Sequence, residues 1–364
     1  MSLGGTQGAQ AEACGRGTGA VTITGGEKPA PRPASTDVAR LAGVSQKTVS
    51  RVMRGEPHVR PEVRAKVLRA AEQLRYRPNA AARSLMSGRT GRLGVVAYGA
   101  GLYGPTTLLI AVETAARRLG YATSVAHTSP DDGHSLAGLI ERLLDQGVDG
   151  LVLPEDIDEG PIPVAIDVPV LTMGRFHGVT ATRRIQAAER ADRSGYLATR
   201  HLIDLGHTEI RHVSGPRRWW AARDRADGWR TALTGAGLPP VEPVEGDWSC
   251  ESGYAAGVRL AQDAGMTAVF VANDDMAIGV IRALHEAGRR VPDEVSVVGM
   301  DDIPAARFLN PALTTIAQDF EAMATEGVEL LAEEIAAPTP TGRRLHPVEF
   351  VLAVRESTAP PVHA

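Results

Sequence analysis

The sequence predicts an all-α helix-turn-helix head followed by an α/β body of two lobes, in which helices flank parallel sheets. Short helical segments near the N-terminus precede a long region where apolar strands alternate with helices. Strands that are apolar on both faces are typical of parallel sheets buried between helices. The region after residue 92 is too long for one common core, so we expect two lobes.

The charge is distributed unevenly along the chain. Residues 36–92 hold 13 Lys and Arg against 4 Asp and Glu, whereas residues 93–364 hold 23 against 37. A basic segment joined to an acidic body indicates a polyanion-binding module attached to a part that does not touch the polyanion.

The composition also bears on cellular location. No apolar run reaches the length of a membrane-spanning helix, and the first 35 residues lack the apolar core of a signal peptide. Cys14 and Cys250 give neither a disulfide framework nor a zinc-binding spacing. We therefore expect a cytoplasmic protein, associated with the nucleoid and not with a membrane.

The basic segment has the parts of a helix-turn-helix. The predicted helices span residues 36–42, 46–54 and 61–74. Ser35 and Ser45 are expected to cap the first two helices. Ala39 is small where two helices would cross, and Gly43 stands where the turn between them requires a positive φ. In such motifs the second helix enters the major groove of DNA.

The second helix carries the residues expected to read DNA. Gln46, Lys47, Ser50 and Arg51 point outward from it. Arginine can make paired hydrogen bonds to guanine, and glutamine can make them to adenine. The hydroxyls of Thr48 and Ser50 suit phosphate contacts. A surface helical hairpin with chance charges is the open alternative.

From Leu93 onward the pattern changes to alternating strands and helices. The predicted strands are 93–98, 122–127, 150–153, 170–173, 210–214, 268–272 and 295–300. The predicted helices include 107–119, 135–146, 193–205, 223–235, 252–264 and 275–286. This alternation is the pattern of parallel sheets with helices on their faces.

A glycine motif follows the first body strand. Gly99, Gly101 and Gly104 spell the dinucleotide-binding fingerprint. Pro105 follows where the fingerprint's helix should already have begun, and the next strand ends in His-Thr-Ser with no acid for a ribose hydroxyl. A strand-to-helix loop is the favoured interpretation, and a nicotinamide-dependent enzyme is an alternative that rests on the glycines alone. Neither H-E-x-x-H, a P-loop nor G-x-S-x-G occurs, so we expect no enzyme, metal or cofactor.

Several motifs together resemble the LacI/GalR family of bacterial transcription repressors. They are D-V-A-R-L-A-G-V-S from Asp37, T-V-S-R-V from Thr48, Y-R-P-N-A-A-A-R-S-L from Tyr76, Gly88-Arg89, and S-T-A-P-P from Ser357. The resemblance covers about nine tenths of the chain. It departs from the family at Arg54, Arg60 and Val63, where asparagine, serine and threonine are frequent, which leaves the phosphate contacts there open. The identity of the operator bases is also open, because the residues at the positions of Gln46 and Lys47 vary within the family.

The resemblance implies a homodimer that binds palindromic double-stranded operator DNA. Residues 79–86 match a hinge helix that folds on the operator, with Leu85 wedged into the minor groove; a plain linker is the alternative. The residues expected to bind DNA are Thr36, Ser45, Gln46, Lys47, Thr48, Ser50, Arg51, His58, Tyr76, Asn79, Ala82, Arg83 and Leu85.

The resemblance also implies an effector cleft between two lobes of periplasmic-binding-protein type. The residues expected to line it are Tyr98, Leu102, Asp192, Arg193, Arg225, Trp248, Asn273, Asp301, Gln318 and Phe320. Arg225, Asp301 and Asn273 offer donors and acceptors for sugar hydroxyls, and Trp248 offers an aromatic face for a pyranose ring.

These cleft residues also have structural readings. Trp248 could be a core residue, Asp301 and Asn273 could cap helices or turns, and Arg225 could belong to an ion pair. Arg193 stands where the family usually has asparagine or aspartate, and an extra cation at the cleft would favour an acidic or phosphorylated sugar. Trp219 and Trp220 could narrow the cleft or pack the loop.

The expected organisation follows from these points. It comprises a disordered tail over 1–34, a helix-turn-helix domain over 35–77, a hinge helix and linker over 78–91, and an effector-binding and dimerisation domain over 92–358. The first lobe is expected at about 92–206 and 318–345, and the second at about 207–317 and 346–358. The expected function is sequence-specific transcriptional repression controlled by a small ligand, a carbohydrate. A sugar receptor without DNA function is the alternative, and the basic head opposes it.

Overall fold

The computed structural model describes residues 33–77, 84, 88–98, 101–128, 135–153, 157–158, 160, 162–173, 180–186, 191–341 and 349–362. The chain divides into two compact units, Met1–Asn79 and Ala80–Ala364. The predictions for Asn79, Ala82, Arg83 and Leu85, and those for the tail up to residue 32, lie outside the described residues. No described helix is long and apolar enough to cross a membrane.

The first unit is helical. Its helices are α1 (Ser35–Ala42), α2 (Gln46–Met53) and α3 (Pro61–Gln73). Val38, Val49 and Val67 are fully buried where the helices meet. The predicted turn is confirmed, because Gly43 ends α1 in the left-handed conformation with φ 65°.

The predicted cap of α1 is wrong. Ala34 is the N-cap and Ser35 is the first helical residue, and the carboxylate of Asp37 accepts the backbone N–H of Ala34 at 2.9 Å. The acidic side chain at the third helical position thus satisfies the N–H of the N-cap residue itself, which is the half of a capping box that the third residue supplies. Ser45 does cap α2, since its Oγ accepts the N–H of Thr48 at 3.1 Å.

Five described strands form the first sheet of the second unit, in the order β2-β1-β3-β4-β5. They are β1 (Arg92–Tyr98), β2 (Ala122–Thr128), β3 (Gly150–Leu153), β4 (Val170–Thr172) and β5 (Arg184–Gln186). All neighbouring pairs run parallel. Helices α4 (Tyr103–Arg118) and α5 (Leu136–Asp145) supply apolar side chains to different core clusters, so the sheet is covered by helices as predicted.

Six described strands form the second sheet, in the order β11-β10-β9-β8-β6-β7. They are β6 (Ile210–Ser214), β7 (Val244–Glu245), β8 (Ala268–Val271), β9 (Ser296–Asp301), β10 (Thr314–Gln318) and β11 (Phe350–Ala353). Only β11 runs antiparallel to its neighbour among these strands. Helix α6 (Ala191–Asp204) precedes β6 in the sequence, and three helices lie between the later strands: α7 (Trp220–Gly235), α8 (Cys250–Leu260) and α9 (Asp274–Glu286).

The chain crosses between the two sheets more than once. Helix α10 (Phe320–Ala336) follows β10 of the second sheet but packs on α4 and the first sheet. Helix α6 contradicts the predicted lobe boundary at about residue 206, because it packs against α7 and the second sheet. Its buried residues Ala198 and Leu202 share a core with Trp229 and Phe270, so the second lobe begins at α6.

Glycines allow α6 and α7 to approach each other closely. A methyl group at Gly195 of α6 would overlap the backbone oxygen of Arg225, and one at Gly228 of α7 would overlap that of Asp192. The two backbones are therefore in direct contact, and neither position leaves space for a side chain.

We expect Gly228→Ala to destabilise the second unit by about 2 kcal/mol or more, because the added methyl must separate two packed helices. The matched control is Gly235→Ala on the same helix, where a methyl group meets nothing within 4 Å. This control should be neutral or stabilise by up to about 1 kcal/mol, since alanine restricts the unfolded chain. Urea unfolding of both variants measures the difference, and equal midpoints would contradict the close contact.

Candidate functional sites

Most of the residues predicted to bind DNA lie on α2 and in the segments next to it. Gln46 and Lys47 lie exposed in the first turn of α2, while Thr48, Ser50 and Arg51 are partly exposed. The capping serine positions Thr48, whose Oγ1 lies 2.9 Å from the Oγ of Ser45. These predicted residues thus share one helix and present amide, ammonium, hydroxyl and guanidinium groups to solvent.

The other predicted DNA-binding residues surround α2. Gln46 donates from Nε2 to the Oγ of Ser35 at 2.8 Å, which links the start of α2 to α1 beside exposed Thr36. His58 is exposed in the loop before α3. Tyr76 is half-buried after α3 and packs on the helical core, so it serves packing as well as any contact with DNA.

Arg51 has a partner that the sequence did not suggest. Its Nε donates to Oε2 of Glu56 at 2.8 Å, and Nη2 of Arg54 lies 3.0 Å from Oε1 of the same carboxylate. The hydrogen bond from Arg51 is the largest influence that lowers the pKa of Glu56, so this carboxylate stays charged at neutral pH.

In the second unit, a cleft opens between the two sheets. Its empty space, including the part open to solvent, measures about 750 Å³, a size suited to a small organic ligand. It is lined by Tyr98, Leu102, Tyr103, Gly104, Pro105, Leu108, Met173, Trp219, Ala221, Arg225, Trp248, Asn273, Asp301, Gln318, Phe320 and Met323. The structure therefore brings together eight of the ten residues predicted for the effector site.

A buried pair of opposite charges forms the polar part of the cleft. Nη2 of Arg225 on α7 lies 3.8 Å from Oδ1 of Asp301, which ends β9, and both side chains are at most one tenth exposed. Nη1 of Arg225 donates to the backbone oxygen of Ala272 at 2.6 Å. Burial is the main cause that raises the pKa of Asp301 to about 6, Arg225 opposes that rise, and Asp275 adds to it. At neutral pH the cleft therefore presents a carboxylate beside a guanidinium.

Trp248 and Asn273 are held by each other and by α9. The side chain of Asn273 caps α9 by accepting the N–H of Met276 at 3.0 Å, and its Nδ2 donates to the backbone oxygen of Trp248 at 3.0 Å. Trp248 adopts φ 77°, and its ring lies where a side chain at Gly215 would overlap it. The cap and the core position foreseen as alternatives are thus both present, alongside exposure to the cleft.

Two buried donors of the cleft have no hydrogen-bond partner among the described residues. They are Nε of Arg225 and Nε1 of Trp248. The two groups lie close together, with Cζ of Arg225 5.5 Å from the centre of the Trp248 ring. Because a buried donor without a partner costs about 1–3 kcal/mol, oxygen atoms of a ligand would stabilise this arrangement.

Known proteins match both units. Residues 36–79 match the description of bacterial regulatory proteins of the lacI family, and residues 199–358 match the periplasmic binding protein-like domain. The lactose operon repressor of Escherichia coli strain K12 is 33% identical over 336 residues, which are 89% of this chain and 92% of that protein. The chain belongs to the lacI family.

Solved structures of the lacI family have the same fold. The lac repressor dimer bound to operator and the anti-inducer ONPF covers 90% of this chain and 100% of its own, with 30% identity and a TM-score of 0.74. The complex of the transcriptional regulator CelR with cellobiose covers the same shares, with 32% identity and a TM-score of 0.63. These likenesses confirm the predicted fold class.

Membership of the lacI family decides between the function classes that the sequence left open. The chain is a DNA-binding transcriptional regulator and not an enzyme. The alternatives of a nicotinamide-dependent enzyme and of a sugar receptor without DNA function are thereby removed. Gly104, the last glycine of the fingerprint-like motif, lies with Pro105 in the first turn of α4, which begins at Tyr103, and both residues line the cleft.

Two residues predicted for the lacI-type effector site do not line the cleft. Asp192 is half-buried in the first turn of α6 and Arg193 is exposed beside it. The close packing of α6 on α7 at Gly228 accounts for this placement, because it directs the start of α6 toward a neighbouring helix. The suggestion of an acidic or phosphorylated sugar, which depended on Arg193, loses its support.

Aromatic side chains that the sequence did not assign complete the cleft. Trp219 meets Trp248 edge to face, with ring centres 6.0 Å apart, and Tyr103 meets Phe320 in the same way at 6.5 Å. Trp219 therefore narrows the cleft. Trp220 does not line it, and the guanidinium of Arg223 lies 4.5 Å from the centre of its ring. The two adjacent tryptophans could be seen in the sequence. Which of the two faces the cleft is decided by the course of the backbone, which the sequence alone does not give.

A second buried aspartate lies behind the cleft. Asp274 is fully buried, accepts the hydroxyl of Thr315 at 2.6 Å and the N–H of Ile303 at 2.9 Å, and occupies the space where Gly299 has no side chain. Burial is the main cause that raises its pKa to about 8, and Asp301 adds to the effect. Among the described residues there is no cluster suited to a metal ion.

We expect Asp274→Asn to flatten the dependence of stability on pH between about pH 5 and about pH 8. Because the folded-state pKa is raised, the folded chain keeps a proton that the unfolded chain has lost, and the free energy of unfolding falls as pH rises toward 8. The slope is about 1.4 kcal/mol per pH unit between about pH 5 and about pH 7, falls to about half of that at pH 8, and vanishes above it. An asparagine can still accept from Ile303 and donate to Thr315.

Chemical unfolding of the wild type and the variant across this pH range tests the expectation. The matched control is Asp293→Asn, which removes a largely exposed carboxylate and should leave the slope unchanged. A wild-type slope that survives in Asp274→Asn would show that another group carries it.

Proposed function

We propose that this regulator is a homodimeric repressor that binds a palindromic operator through α2 and releases or retains it according to a carbohydrate bound in the cleft. The observation that carries the ligand assignment is the buried Arg225–Asp301 pair beside the ring of Trp248. A guanidinium and a carboxylate together donate to and accept from neighbouring hydroxyls, and an aromatic face packs on the apolar face of a pyranose. The CelR complex with cellobiose offers a precedent in the same family.

The DNA-binding side of the proposal rests on the exposed groups of α2. Arg51 and Gln46 are assigned to base edges in the major groove, and the hydroxyls of Thr48 and Ser50 to phosphates. Leu85 is assigned to a hinge helix that enters the minor groove, as the resemblance implies. The precedent is the lac repressor dimer bound to its operator, and such a repressor acts in the cytoplasm at the nucleoid.

Control of DNA binding would proceed through the lobes. The cleft has walls from both sheets, so a ligand that contacts both changes the relative stability of lobe arrangements. In a dimer this would change the spacing of the two hinge segments and the operator affinity, with a coupling of about 1–3 kcal/mol.

The carbohydrate assignment predicts loss of binding in Arg225→Gln. A panel of mono- and disaccharides is added to the full chain, and the sugar that raises the melting temperature is then titrated by calorimetry. Removing a charged hydrogen-bonding group should lower the affinity of the protein for that sugar by about tenfold or more. The control is Arg230→Gln, a more exposed arginine on the same helix, which should bind as the wild type does. If no sugar stabilises the wild type while purines or other small molecules do, the carbohydrate assignment is wrong.

The DNA assignment predicts different outcomes at two residues of α2. Arg51→Ala should lose most of the preference for operator over scrambled duplex, whereas Lys47→Ala should change which bases are preferred. Gel-shift titrations of the full chain on both duplexes measure the ratio. Equal losses of affinity on the two duplexes would show that Arg51 contacts only phosphate.

A further inference from the structure

An acidic side chain, Glu56, stands within the basic segment of the chain. Residues 36–92 contain only 4 Asp and Glu beside 13 Lys and Arg, and one of the four, Glu56, follows the helix that the proposed function places on DNA. A carboxylate near the phosphates of DNA weakens binding, so its presence at this position calls for a compensating role.

The backbone holds Glu56 in a defined place. Gly55 adopts φ 74°, its N–H donates to the oxygen of Val52 at 3.0 Å, and the N–H of Glu56 donates to the oxygen of Arg51 at 3.1 Å. This pair of bonds is a Schellman motif, which turns the chain back over the last turn of α2. Nη2 of Arg64 on α3 donates to the backbone oxygen of Glu56 at 2.5 Å and fixes it from the other side.

The carboxylate of Glu56 is shared between two arginines. Oε2 accepts from Nε of Arg51 at 2.8 Å, and Oε1 lies 3.0 Å from Nη2 of Arg54. About a third of each of the side chains of Arg51 and Glu56 is exposed. The contact therefore lies at the surface, where a polyanion could reach it.

The contact leaves the reading edge of Arg51 available. A guanidinium presents N–H groups on several edges, and Glu56 engages the edge that carries Nε. Neither terminal nitrogen, Nη1 or Nη2, donates a hydrogen bond to another described residue, and these two nitrogens are the pair that can bond O6 and N7 of guanine. A long side chain that is already held in one orientation loses less freedom on binding.

We propose that Glu56 is a positioning residue that orients Arg51 for base contact and neutralises Arg54, so that it increases discrimination between DNA sequences while reducing affinity for DNA in general. This inference rests on the proposed function of α2. It makes a prediction with two signs: removing the charge strengthens binding to arbitrary duplexes but weakens preference for the best site. A purely structural role would weaken both.

The experiment uses the full chain and a library of duplexes with a randomised central region. The site that the wild type enriches and a scrambled version of it serve as probes, and dissociation constants are measured at several salt concentrations. Glu56→Gln is compared with Glu72→Gln, an exposed residue of α3 that removes the same charge. Both variants should bind the scrambled duplex more tightly. Only Glu56→Gln should lower the ratio of the two affinities, by about tenfold.

The dependence on Arg51 is tested by repeating Glu56→Gln in an Arg51→Ala background, where the ratio should not change further. Glu56→Asp keeps the charge but withdraws the carboxylate by one methylene, so it should lower the ratio without raising general affinity. Thermal unfolding of each variant checks that the first unit remains folded.

Three results would overturn the proposal. The first is a ratio for Glu56→Gln equal to that of Glu72→Gln. The second is that Glu56→Gln lowers the ratio by as much in the Arg51→Ala background as it does in the wild type. The third is that Glu56→Gln binds both duplexes more weakly than the wild type does. A wild-type chain that enriches no site at all would instead refute the proposed function, and with it this inference.

Discussion

The parallel direction of the strands decides where this regulator can hold a ligand. In parallel sheets the carboxyl ends of the strands lie at one edge, where side chains are freed from the sheet and loops can form a site. Tyr98 ends β1, Asp301 ends β9 and Gln318 ends β10, and all three line the cleft. Asn273 follows β8 by two residues and caps the next helix. The polar groups of the cleft are consequences of this geometry.

Most of the fold could be predicted because its elements carry strong local signals. Strands β3 and β6 have the predicted bounds. Strand β3 is a short apolar run, and β6 places the buried apolar residues Ile210 and Val213 between turn residues. Strands β10 and β11 were not predicted. The run Thr314–Gln318 holds two threonines and a glutamine, and its burial depends on neighbouring strands rather than on its own pattern. A single sequence does not show contacts between segments that are far apart in the chain, and strand formation here depends on such contacts.

The site residues show the same division. Arg225, Trp248, Asn273 and Asp301 stand in motifs that resemble a known family, and the structure brings them together. Asp192 and Arg193 failed because their placement depends on which helix α6 packs against, and that is decided by glycines on two helices far apart in sequence. Glu56 was not recognised because its role arises from a turn that places it over a side chain five residues earlier.

The link between β10 and α10 joins the two lobes at the cleft. Gln318 ends a strand of the second sheet, Phe320 begins a helix of the first lobe, and Asp319 between them caps that helix by accepting the N–H of Ala322 at 2.8 Å. Both flanking side chains line the cleft. A ligand that contacts Gln318 and Phe320 would therefore bear on a segment that joins the two lobes, and a change in the backbone of Asp319 would alter both walls of the cleft together.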